Sequence, residues 1–115
     1  MKTIKSYRTN LDGILEVAVL VAPGYGSGWS TWALPEYADF MRFDAALVDA
    51  RQNGKDENAV RDILIREIGE DNIPYTGGWN DVQILWIPVG ERFRITESDG
   101  HEHLTMFNPD NYTTA

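Results

Sequence analysis

The chain has 115 residues, 18 acidic and 10 basic side chains for a net charge of −8, and no cysteine. That length fits one domain, and a hydrophobic share of 43% supports a core rather than a disordered tail. The negative balance argues against non-specific binding to nucleic-acid phosphates or anionic lipid, and without cysteine there are no disulfides or thiolate metal centres.

Ile4 and Tyr7, among Lys, Ser and Arg, suit a short edge strand or an arm. Asn10-Leu11-Asp12-Gly13 reads as a turn. It and Glu16 interrupt the N-terminal region too early for a signal peptide. Residues 14–22 form the longest apolar run, too short to span a bilayer, so the expected setting is the cytoplasm. With Glu16 its one polar residue, this strand is apolar on both faces. It is therefore either central, or covered by helices on one side and by a partner or second layer on the other.

Pro23 stops that strand. The next stretch, Gly24-Tyr25-Gly26-Ser27-Gly28-Trp29-Ser30-Thr31-Trp32, combines glycines, flat rings and hydroxyls. Such a loop either wraps a small flat ligand or plugs a tight turn. Pro35 opens a helix to Arg42 as its N1 residue. Asp44 caps a second helix over 45–52, stopped by Asn53-Gly54. Asp56 caps a third over 57–68, where Val60, Ile63, Leu64 and Ile68 keep the helical period and Gly69 closes it. A second aromatic loop follows, Tyr75-Thr76-Gly77-Gly78-Trp79. Residues 82–87 and 92–98 read as an antiparallel hairpin, with Glu97 at the end of the Phe93/Ile95 face. A last strand spans 101–107, and residues 108–115 are a polar, loose tail. Helices grouped between antiparallel strands make the chain an α+β domain over 1–107. Its expected sheet has four or five mainly antiparallel strands, with two or three helices packed on one face.

Several chemistries are weighed against these motifs. The glycines fail the dinucleotide spacing, because Trp29 stands where the third glycine belongs, and no lysine serves a phosphate loop between residues 6 and 54. His101 and His103 share one strand face, as metal ligands must, but need a third group such as Glu97 or Asp99. Ser27 or Ser30 with His101 or His103 and Asp99 sketches a small hydrolase. Glu97 with Glu102 sketches an acid–base pair. None has a specific spacing, so no catalytic, metal or cofactor residues are assigned. Binding is the more economical reading. Tyr25, Trp29, Trp32, Tyr75 and Trp79 would frame a ring, with Ser27 and Ser30 as polar partners. Arg92 and Arg94 would hold phosphates, and Glu97 would orient a hydroxyl.

The two loop motifs, with Val82-Gln83-Ile84-Leu85-Trp86-Ile87-Pro88-Val89-Gly90-Glu91-Arg92-Phe93-Arg94-Ile95-Thr96-Glu97-Ser98-Asp99-Gly100-His101-Glu102, resemble a family of small bacteriophage proteins. Where that family has an aromatic before Asp-Gly, this chain has Ser98. The resemblance implies a phage accessory protein in the host cytoplasm. Its role would be anti-defence sequestration of a signalling nucleotide, as a homo-oligomer and without catalysis. The alternative is an acidic inhibitor of a host defence or nucleic-acid enzyme.

Overall fold

The computed structural model describes residues 2–26, 28–106 and 113–114. The chain is α+β. Strand β1 (Tyr7–Thr9) turns through Asn10, whose side chain accepts from the N–H groups of Asp12 and Ile14, into β2 (Leu15–Val21). Three helices follow: α1 (Pro35–Phe43), α2 (Ala45–Gln52) and α3 (Glu57–Ile68). The chain then returns as β3 (Gln83–Pro88), β4 (Arg92–Ser98) and β5 (His101–Met106). The pair Thr113–Thr114, within the expected tail, forms β6.

The helix limits follow from local chemistry. Leu34 before Pro35 is extended, as a residue before proline prefers, and α1 starts at that proline. Asp44 ends α1 in an extended conformation and caps α2, accepting from Ala46 N–H at 3.0 Å. Its other oxygen accepts from Ile4 N–H at 3.2 Å, and Ala45 N–H donates to Ile4 C=O at 2.7 Å. One carboxylate thus starts a helix and anchors the N-terminal segment. Asp56 caps α3 through Ala59 N–H at 2.9 Å.

The strands fall into two antiparallel three-stranded sheets instead of one larger sheet, in the orders β1-β2-β3 and β5-β4-β6. The first sheet is the middle layer. Ala18, Leu20 and Ala22, on β2 and just past its end, face the helices and pack with Phe40, Met41, Leu47, Val60 and Leu64. Val17, Val19 and Val21 face the other way and meet Ile87 and, from the second sheet, Phe93, with Ile95 and Leu104 alongside. This accounts for the double-sided apolar pattern of β2. Its second cover comes from the same chain, so that pattern does not require a homo-oligomer. Among the described residues no helix is long and apolar enough to cross a membrane.

Candidate functional site

The site is built where β2 runs out. Glu102 of β5 is 1% exposed, and its backbone N–H donates to Ala22 C=O at 2.9 Å. Its carboxylate answers donors from the glycine-rich loop. Oε1 accepts from Ala22 N–H at 3.0 Å. Oε2 accepts from Trp29 N–H at 2.7 Å, Thr31 N–H at 2.9 Å and the Thr31 hydroxyl at 2.5 Å. A carboxylate has about four acceptor positions, and among the described residues four donors meet this one, three of them from the loop. Arg42, nearby, has its pKa lowered by burial, while Asp39 and Glu102 oppose that shift. The proposed acid–base partner, Glu97, lies opposite Glu102 in the ladder, but its carboxylate accepts from Gly100 N–H at 2.7 Å and stabilises the hairpin turn.

Two glycines make room for rings. A Cβ on Gly28 would overlap the Trp32 ring, and one on Gly77 would overlap the Tyr75 hydroxyl. Trp32 and Tyr75 meet at 5.1 Å between centroids, joining the two loops through a half-exposed aromatic pair. Trp29 and Trp79 behave differently. They are 0% and 1% exposed and pack at 5.5 Å. Their indole N–H groups donate to Met41 C=O at 2.6 Å and Lys55 C=O at 2.7 Å. Arg51 lies 4.9 Å above Trp79 and donates to its carbonyl at 2.7 Å. Both indoles are core, with no face open to a ligand. Thr76 in the second loop is also buried, donating to Glu57 at 2.6 Å.

Ser30 is buried and its Oγ has no hydrogen-bond partner among the described residues, so no base among them is poised on it. Ser27 lies outside the described residues. Among the described residues, no three His, Cys, Asp or Glu side chains gather to hold a metal. The hydrolase and metal sketches thus find no assembled constellation in these residues.

The outer face of the second sheet is the remaining candidate. Strand alternation puts Phe93, Ile95, Glu97, Glu102 and Leu104 on its inner side. Arg92, Arg94, Thr96 and Ser98 of β4 take the outer side and are exposed. Across the ladder, Thr105 pairs with Arg94, His103 with Thr96 and His101 with Ser98. Tyr25 is 77% exposed and stacks on His101 at 4.8 Å, with 24° between the planes. Gly26 N–H donates to Asp99 C=O at 2.6 Å, which fixes the loop against this hairpin. The His101 and His103 rings are 5.8 Å apart. No carboxylate stands among the outward residues of β4 and β5.

The structure therefore brings Tyr25, Arg92 and Arg94 to one sheet face. Trp32 and Tyr75 form a separate aromatic pair between the loops. Trp29, Ser30 and Trp79 are inside, and Glu97 belongs to the turn. A concavity of about 500 Å³ lined by Arg8, Thr9, Asn10, Leu11 and Asp12 lies by the opposite end of β2 from the glycine loop. Sequence reasoning missed Glu102 as the loop's anchor. The signal was its alternation with Leu104, which marks an inward position. No family model, curated protein or solved structure matches this chain.

Proposed function

We propose that this chain binds a nucleotide-like ligand on the outer face of its second sheet and acts by holding it. The observation that carries the reading is the composition of that face. In a chain of net charge −8, two exposed arginines, an exposed His103 and a half-buried His101 share one face with three hydroxyls. Arg92 and Arg94 suit phosphate oxygens, since guanidinium donors form strong charge-assisted bonds with them. The Tyr25–His101 stack offers a ring for base stacking, worth about 1–3 kcal/mol per base. Sequestration of a host signalling nucleotide, the use implied by the resemblance to phage proteins, needs nothing more than such a face.

The test is thermal unfolding with adenine and guanine nucleotides, cyclic nucleotides and ADP-ribose. A ligand at a hundredfold excess over its Kd adds about 2.7 kcal/mol, or roughly 10 °C in Tm. Intact ligand recovered from the heated mixture supports holding; altered ligand indicates turnover. Arg92 and Arg94 are exposed, and Arg92→Ala/Arg94→Ala should reduce the ligand-induced shift measured from that variant's own unliganded Tm. No shift with any compound, or an undiminished shift with every binding compound in the double variant, overturns the proposal.

A further inference from the structure

We infer that the outer face selects its ligand by length, favouring a nucleoside that carries a chain of phosphates, or a second nucleotide, over a nucleoside monophosphate. This selectivity rests on the nucleotide-binding reading above. The ring position is at one end of the face, because Tyr25 stacks on His101 and His101 stands opposite Ser98 next to the hairpin turn. The guanidinium positions are at the other end. Strand rise places Arg94 roughly 13 Å from Ser98 along β4, and Arg92 roughly 20 Å. A nucleoside monophosphate stacked on Tyr25 and His101 meets Arg94 only at the full stretch of that side chain and ends short of Arg92. Each added phosphoryl group extends the ligand along Thr96 and His103 toward Arg94, which has Thr105 opposite it. These intervening side chains offer hydroxyl and imidazole donors to phosphoryl oxygens or ribose hydroxyls.

The experiment is calorimetric titration of the full chain with adenosine, AMP, ADP, ATP, adenosine 3′,5′-bisphosphate and inorganic tripolyphosphate, at one fixed salt concentration. Affinity is expected to rise about ten- to hundredfold from AMP to ATP, the range of one charge-assisted hydrogen bond. Adenosine 3′,5′-bisphosphate, which adds phosphate without adding reach, is expected to stay near AMP. Arg92→Ala should bring ATP toward AMP while leaving AMP unchanged, and Arg94→Ala should weaken ATP more than AMP. Tyr25→Ala should weaken every nucleotide but leave tripolyphosphate unaffected. If AMP and ATP bind equally, or the bisphosphate matches ATP, length selection is overturned and nucleotide binding stands. If none of the six compounds binds, length selection falls with the reading on which it rests.

Discussion

Replacing Glu102 by glutamine probes the anchoring of the glycine-rich loop most directly. The change keeps the side chain's size and removes its charge. Among the described residues the buried carboxylate accepts one hydrogen bond at Oε1 and three at Oε2. With the amide oxygen placed at the crowded position, the new NH₂ group points at Ala22 N–H, donor against donor. Stranding that buried donor costs about 1–3 kcal/mol. The other three bonds fall from charge-assisted to neutral strength, a loss of roughly half each. Arg42 also loses a compensating negative charge. The sum is about 3–5 kcal/mol, the range seen when one member of a buried charged network is removed. A domain of this size is stable by only about 5–15 kcal/mol, so Tm should fall by roughly 10–20 °C. Urea unfolding followed by tryptophan fluorescence should show a lower midpoint with an unchanged slope. Glu97→Gln is the control, since it changes a single bond at the rim of the sheet and should cost less than about 1 kcal/mol. Thr31→Val removes the hydroxyl donor but keeps the backbone one. Because that hydroxyl and the carboxylate share a bond, Glu102→Gln/Thr31→Val should destabilise by less than the sum of the single changes. A Glu102→Gln protein within about 1 kcal/mol of wild type would refute the proposed anchoring.

Three further outcomes follow from the packing. Gly28→Ala drives a methyl group into the Trp32 ring and should cost about 1–3 kcal/mol by chemical denaturation; adding Trp32→Ala should recover most of it. Asp44→Ala removes a helix cap together with the anchor of Ile4, costing about 2 kcal/mol, and hydrogen exchange at the amides of both Ile4 and Ala46 should accelerate. Trp79→Phe leaves the Lys55 carbonyl without its donor and should cost about 1–3 kcal/mol in the same unfolding assay.

Much of the fold was legible in the sequence because its signals are local. Asp44 and Asp56 sit beside the helices they cap, and Pro35 marks the start of the first helix. The expected spans of α2, α3 and β4 therefore agree with the structure. The division into two sheets was not legible: the short connection predicts a hairpin of 82–87 with 92–98, but β3 pairs with β2, and β4 pairs with β5 and β6 in the other sheet. The site was only partly visible for the same reason. Trp29 and Trp79 look alike in sequence to Trp32 and Tyr75, each an aromatic near glycine. Burial separates them, and burial is decided by distant carbonyls such as Met41 and Lys55. Glu97 and Glu102 share a face by alternation, but only the latter meets a loop whose N–H groups come from 71 to 80 residues earlier.

That long separation has a consequence for synthesis. β2, its glycine-rich loop and all three helices are synthesised before residue 102. Until then the N–H groups of Ala22, Trp29 and Thr31 have no Glu102 carboxylate to meet. The helices can collapse onto β2 early, but the loop gains its anchor only when the last hairpin arrives. Such non-local closure slows folding. A nascent chain stalled before His101 would keep the aromatic loop exposed next to an uncovered valine face, the state in which this protein is most open to aggregation or to capture by a chaperone.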